Sequence, residues 1–393
     1  MKKVIIFHIS DFGGHSKAAH NIQEAVLHRN PQAEILNING FGYFYPRTEK
    51  LVDVLYTTII KNCPQFWGRI YDRKKIVKNL NPFRKLVNAR TFKKLARLVK
   101  DFSPDCFVAT QAFPCGIIGD FKEHFGIKTP LIAAVTDYYP HRFWIHPLVD
   151  KYIVACKEAK EVLTNEGVIP QKIEILGIPV SVKFINSYPR QKIAQDFGFY
   201  DNLDSVLIMG GGLGIGPIGN IAKELDGSNC NFQIIVVCGK NRSLYEWFDK
   251  NKSRFKKPIF HFGYVDFVYQ LMDFTDIIVT KGGGITISEA LSKGLAIVTV
   301  KSIPGQEERN VNYLLRKQAI VKADAIANIA EQVKILLQDK EKLTLLKKRA
   351  REVSSIDSSL KIADLILYLC SAQTPGESHS KIDENRRIDF KSI

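Results

Sequence analysis

Thr280-Lys281-Gly282-Gly283-Gly284-Ile285-Thr286-Ile287-Ser288-Glu289-Ala290 decides the reading of this chain. A short β-branched run over residues 276–280 ends in a triglycine turn and passes straight into a helical pattern. A strand, a tight turn and a helix in that order are the building unit of parallel α/β architecture. The free amides of Gly283 and Gly284, the dipole of the following helix and the Thr286 hydroxyl make a ready site for a phosphate. Glu289 lies one turn inside, placed to accept from the vicinal hydroxyls of a ribose. Its plainer role is a first-turn acid complementing the dipole, worth roughly a few tenths of a kcal/mol.

Two more glycine-rich turns leave strand-like runs. Met209-Gly210-Gly211-Gly212-Leu213-Gly214-Ile215-Gly216 follows residues 205–209, and alone is weak evidence because tight turns explain many such clusters. Ser10-Asp11-Phe12-Gly13-Gly14-His15-Ser16-Lys17-Ala18-Ala19 follows residues 3–9. Here the glycines allow a sharp exit, and the alanines let the helix pack close to a sheet. His15 then stands at a helix N-terminus, where the dipole disfavours imidazolium and leaves the ring available as a base. The alternative is a capping or structural histidine.

The alternation of short apolar runs and helical stretches extends along the whole chain. Strands are expected at 3–9, 34–38, 106–109, 131–135 and 152–155, then at 205–209, 233–237, 258–262, 276–280 and 296–300. Helices at 15–28 and 83–100 lie in the first series, and a helical run over 323–370 closes the second. A polar stretch separates the two series. The expected organisation is a first α/β domain over 1–180, a linker over 181–204, a second domain over 205–371 and a disordered tail over 372–393. Ligands of such sheets bind at the carboxyl ends of the strands, so the expected site is a cleft between the domains.

The 393 residues, 45% hydrophobic and 24% charged, suffice for two cores of that size. No uncharged apolar stretch reaches the ~18 residues of a membrane span, and the N-terminal apolar run stops too early for a signal peptide. The seven cysteines are scattered with no CxxC pair, which suggests reduced cytosolic thiols rather than a disulfide framework or zinc site. There is no GxxxxGK[ST] motif and no Asp-x-Asp pair. A bound diphosphate would therefore be offset by amides and helix dipoles, with no metal and no cofactor expected.

Of the formal net charge of +16, residues 50–100 contribute +12, with 14 basic and 2 acidic side chains. Phe66, Trp67, Ile70, Tyr71, Phe83, Leu86, Val87 and Phe92 are interleaved with them. Such a segment suits an anionic lipid surface, where each Lys or Arg contributes ~1 kcal/mol. Solvated surface helices are the bland alternative. No nucleic-acid-binding signature is present, and no nucleic-acid partner is expected.

Three further stretches carry a family resemblance: Val135-Thr136-Asp137-Tyr138-Tyr139-Pro140-His141-Arg142-Phe143-Trp144, Phe262-Gly263-Tyr264-Val265 and Pro304-Gly305-Gln306-Glu307-Glu308-Arg309-Asn310. With the turns above, they make residues 3–370 resemble the glycosyltransferases that include monogalactosyldiacylglycerol synthases and processive diacylglycerol glucosyltransferases. The resemblance implies a GT-B fold of two Rossmann-like domains and inversion at the anomeric carbon without an obligatory metal. It implies a UDP-hexose donor, a diacylglycerol-type acceptor and a peripheral position on the cytoplasmic face of a membrane, met through residues 50–100. A polyprenyl-linked or other cell-envelope acceptor is the alternative.

By position, Tyr264 and Val265 would meet uracil and Glu289 the ribose. Thr286, Gly211, Gly212, Gly283 and Gly284 would meet the diphosphate and Gln306 and Glu307 the sugar hydroxyls, with Asn310 a further donor-binding residue. His15 would be the catalytic residue, with Asp137 in reserve, and Gly14, His141 and Trp144 would line the acceptor side. Phe12 replaces a glycine of the family's Gly-x-Gly-His, and Gly282 stands where relatives often carry proline.

Overall fold

The computed structural model describes residues 1–11, 13–44, 89–300 and 305–372. Most of the basic segment, Phe12, Pro304 and nearly all of the expected tail lie outside the described residues. The chain divides into two units, one of Met1–Asp11, His15–Val182 and the chain from Asp357 on, the other of Lys183–Ile356 together with the short glycine turn just before His15.

The first unit carries a parallel sheet of β1 (Lys3–His8), β2 (Glu34–Asn39), β3 (Cys106–Ala109), β4 (Leu131–Ala134), β5 (Lys151–Val154) and β6 (Ile173–Ile175). Their order is β2-β1-β3-β4-β5-β6. Val4, Ile5, Ile6 and Phe7 are all fully buried. This is why β1 is a continuous apolar run and not an alternating one: a parallel sheet is covered by helices on both faces. The helix Gly14–Arg29 turns Ala18, Ala19, Ile22, Ala25 and Val26 inward at helical spacing.

The second unit repeats the plan with β7 (Asp204–Met209), β8 (Phe232–Val237), β9 (Ile259–Phe262), β10 (Ile277–Thr280), β11 (Ala296–Thr299) and β12 (Val321–Lys322). These are parallel in the order β12-β11-β10-β7-β8-β9. In each sheet the order reverses once, between β1 and β3 and between β7 and β10. At such a reversal the flanking connections part and leave room for a ligand at the strand carboxyl ends.

All ten expected strands form; β6 and β12 are additional. Two expected boundaries move. Residues 181–204 are not an open linker, since they contain the helix Arg190–Phe197. Arg190 there donates to the carbonyls of Phe274 (2.6 Å) and Leu203 (2.7 Å) and stacks over the Phe274 ring. The last helix, Ser358–Ser371, belongs to the first unit: Ile362, Ala363, Ile366 and Cys370 pack among Val4, Cys106 and Ile132. Buried Ser358 ties this return, accepting from the Val180 N–H (3.1 Å) and donating to the Ile178 carbonyl (2.7 Å). Among the described residues, no helix is long and apolar enough to cross a membrane.

Candidate functional site

In the first unit, the connections leaving β1, β3 and β4 converge on His15. Its Nδ1 lies 2.8 Å from the Thr110 carbonyl and 3.1 Å from the Thr136 hydroxyl. A carbonyl only accepts, so Nδ1 carries the proton and Nε2 keeps the lone pair. The Thr110 hydroxyl donates to the His15 carbonyl (2.9 Å), fixing the backbone from the same direction. Desolvation pushes the His15 pKa down to about 4, against a smaller opposing effect of the Thr110 bond. At neutral pH the ring is therefore an uncharged base with a defined tautomer. The turn before it is braced by Asn39, whose amide donates to Asp11 (3.0 Å). Ser10, at φ 58, takes the left-handed bend at the strand exit.

Asp137 follows Thr136 directly and is buried, as is Thr136. His141 is half-buried, with its ring 6.0 Å from that of Trp144. Gly14 is exposed at the first position of its helix. Trp144 is 1% exposed and packs in the core, so the acceptor-lining role expected for its ring does not fit where the ring lies. Nearby, Asp120, Glu123 and His146 have the spacing of metal ligands. Both His146 nitrogens are already engaged: Nδ1 accepts from the Leu148 N–H (3.1 Å), which leaves Nε2 to donate to Asp120 (3.1 Å).

In the second unit, the turns leaving β7 and β10 meet at the reversal of strand order. Gly211 takes φ 73, and a Cβ there would lie 3.8 Å from Lys281 Cε and 3.9 Å from Thr286 Oγ1. The turn after β8 presses on the same place: a Cβ on Gly239 would run into the Gly212 carbonyl. The Lys240 N–H donates to that carbonyl (3.0 Å), and its ammonium stands 5.3 Å from the centre of the exposed Tyr264 ring. Gly283 caps the helix Gly284–Ser292 with no side-chain hydrogen bond. The first amides of that helix are left for an anion. Glu289 is buried one turn in.

Gln306 and Glu307 open the helix Gln306–Arg316 after Gly305, and Glu307 pairs with Lys281 at 2.5 Å. Asn310 is fully buried, and its amide donates to the Gly282 carbonyl (3.0 Å), so it holds the glycine turn in shape. Val265 follows Tyr264 and is half-buried.

The expected residues thus fall into two groups, one in each unit, with His15 in the first and Gly211, Gly212, Gly283, Gly284 and Thr286 in the second at the reversal of strand order, and the others on neighbouring connections. Thr110, Thr136, Lys240 and Lys281 were not among them. The available signal was their position, each one to three residues beyond a strand's carboxyl end. The described end of the basic segment is the helix Ala89–Phe102, which presents Arg90, Lys93, Lys94, Arg97 and Lys100 outward. Phe92, Leu95, Ala96 and Val99 are fully buried, with Phe92 edge-on to Phe121 at 5.7 Å. Phe92 is therefore core and not an anchor for lipid.

Residues 15–180 match the family model described as monogalactosyldiacylglycerol (MGDG) synthase, and residues 224–353 that of glycosyl transferases group 1. The chain is 30% identical to a processive diacylglycerol beta-glucosyltransferase of Bacillus cytotoxicus over 95% of both chains. It is 29% identical to one of Bacillus subtilis, over 93% of this chain and 95% of the other. Among solved structures, MurG of Acinetobacter baumannii superposes with a TM-score of 0.59 at 14% identity, covering 94% of this chain and all of that one. The UDP-GlcNAc 2-epimerase of Neisseria meningitidis, solved with UDP-GlcNAc, gives 0.59 at 16% identity with the same coverage. The fold is GT-B, and the chain is a glycosyltransferase.

Proposed function

The chain belongs to the processive diacylglycerol β-glucosyltransferase family, and we propose that it moves a hexose from a UDP-sugar to diacylglycerol or a glycosylated diacylglycerol. The observation that carries this reading is the neutral, Nδ1-protonated His15 on a chain matched to that family along nearly its whole length. An inverting displacement needs one base for the acceptor hydroxyl. As its oxygen bonds to the anomeric carbon, the proton passes to His15 Nε2. The bond from that carbon to the diphosphate oxygen breaks, and its electron pair leaves with UDP.

The second unit would hold the donor. Gly211, Gly212, Gly283, Gly284 and Thr286 take the diphosphate, Glu289 the ribose and the Tyr264-Val265 backbone the uracil. Gln306 and Glu307 take the sugar hydroxyls, and Asn310 acts through the turn it holds. Neither a metal nor a cofactor enters the scheme. Asp137 is the reserve base, with Gly14 and His141 on the acceptor side.

The enzyme would work on the cytoplasmic face of a membrane. The five outward cations of the helix Ala89–Phe102 meet anionic headgroups by charge alone, because the apolar face of that helix is used in the core. A polyprenyl-linked acceptor is the second reading, which the same base would serve. Purified protein with diacylglycerol-containing anionic liposomes, EDTA and radiolabelled UDP-glucose, UDP-galactose or UDP-N-acetylglucosamine tests the donor, the acceptor and metal independence together. Label in the organic phase is expected. Absence of label from every donor, with UDP still bound by calorimetry, would reject the acceptor and keep the donor site.

A further inference from the structure

We propose, on the donor reading of the second unit, that Lys281 is the cation that receives the donor's diphosphate. It does so by changing partners, from Glu307 in the empty site to a phosphate oxygen in the loaded one.

Lys281 is the first residue beyond β10, and its ammonium is 2.5 Å from Glu307 Oε1, with the two side chains 22% and 15% exposed. Its Cε lies by the Gly211 backbone together with the Thr286 hydroxyl, at the point where strand order reverses. The Glu307 carboxylate in turn stands beside the helix start, with Oε1 3.9 Å from where a Gly283 Cβ would be. A resident carboxylate thus occupies surroundings that suit a phosphate, an ammonium and the N-terminus of a nine-residue helix, with the Thr286 hydroxyl near the same lysine stem on the Gly211 side.

Glu307 reaches that place from the next helix along the chain, so it can yield the place without disturbing the turn. A lysine ammonium on its flexible stem carries three donors and can follow the stronger anion. A diphosphate oxyanion offers more charge than one carboxylate. Once Lys281 has moved, the Glu307 carboxylate exchanges that ion pair for sugar hydroxyls, which makes the sugar contact conditional on a charged donor. The role continues through the reaction. When the bond from the anomeric carbon to the diphosphate breaks, the electron pair stays on the terminal phosphate oxygen, and UDP carries one more negative charge than it did in the sugar nucleotide. Lys281 is the fixed charge beside that oxygen.

Calorimetric titration with UDP and with uridine tests the exchange in the full chain. Lys281→Met should weaken UDP roughly ten- to hundredfold, as for a lost charged hydrogen bond, and leave uridine unchanged. Lys281→Arg should restore much of the UDP affinity. Glu307→Gln should tighten UDP several-fold, because the competing carboxylate is gone, while lowering turnover through the lost sugar contact. A merely structural ion pair would give the opposite sign for UDP.

If Lys281→Met binds UDP as the unaltered protein does, the assignment is wrong and the donor site stands. If Lys281→Met loses UDP and uridine alike, Glu307→Gln decides: tighter UDP upholds the exchange and weaker UDP overturns it. If the unaltered protein binds neither compound, the donor reading fails and the exchange with it.

Discussion

The acid limb of the pH–rate profile should lie far below that of an ordinary histidine. Burial pushes the pKa of His15 down from 6.5 to about 4. As kcat/KM follows the free enzyme, its acid limb should have a midpoint near 4 if Nε2 is the base. At pH 5.5 a group of pKa 4 is roughly 97% neutral, whereas one of pKa 6.5 is roughly 9% neutral. The ratio of kcat/KM at pH 5.5 to that at pH 8 should then be close to one, and not about one-tenth. Binding of an anionic donor favours the imidazolium, so the limb in kcat should lie at higher pH than the limb in kcat/KM.

The measurement is initial rates across pH 3.5–8.5 at low and saturating donor, with His15→Ala as control. That variant should lose roughly 10²–10⁴ in turnover and keep its UDP affinity. The same shift acts on stability. A histidine whose folded pKa lies below its unfolded value contributes nothing adverse above pH 6.5, and destabilises the fold as pH falls from there toward 4. By pH 5 this amounts to about 2 kcal/mol. His8, whose pKa burial also lowers, acts in the same direction. A kcat/KM midpoint near 6.5 would refute the buried-base reasoning, and full activity in His15→Ala would pass the role to Asp137.

Glu289→Gln should weaken UDP roughly tenfold or more and leave 2′-deoxyuridine diphosphate much less affected; equal losses for both would remove the ribose role. The pair Lys93→Gln and Arg97→Gln should lower partition onto anionic vesicles by about 2 kcal/mol, roughly thirtyfold, with unchanged helix content by circular dichroism. Undiminished vesicle binding would return this helix to ordinary solvated surface. Ile366→Ala should cost about 2–5 kcal/mol in denaturant unfolding, because Ile366 is fully buried in the first unit's core. A cost under about 1 kcal/mol would mean the last helix is not part of that core.

Most of the strands were legible because they are short, nearly fully buried apolar runs, as a sheet covered on both faces requires, while the half-buried edge strands β2 and β9 still carry enough apolar residues to be read. The two that escaped, Ile173-Glu174-Ile175 and Val321-Lys322, are edge strands of two or three residues with a charged member. The helix Ser358–Ser371 was legible as a helix but not as part of the first unit. Its apolar stripe shows which face is buried, and the same stripe would fit either sheet. The stretch around Arg190 looked like a linker because its polarity conceals a guanidinium bonded to the Phe274 and Leu203 carbonyls. Trp144 was placed by its motif on the acceptor side, whereas its size and apolarity place it in the core.

What the sequence could not show at either site is the part played by carbonyl groups. His15 gives its Nδ1 proton to a main-chain oxygen 95 residues away, which every residue type at position 110 would supply. The tautomer is therefore set by the register of β1 against β3, with the Thr136 hydroxyl adding to it. The second unit uses the same device: Asn310 holds the Gly282 carbonyl and the Lys240 amide holds that of Gly212. Placing reactive side chains against backbone at a reversal of strand order makes their orientation a property of the sheet. Such sites can then change substrate by altering the residues around the turns while the base and the anion cradle stay where the strands put them.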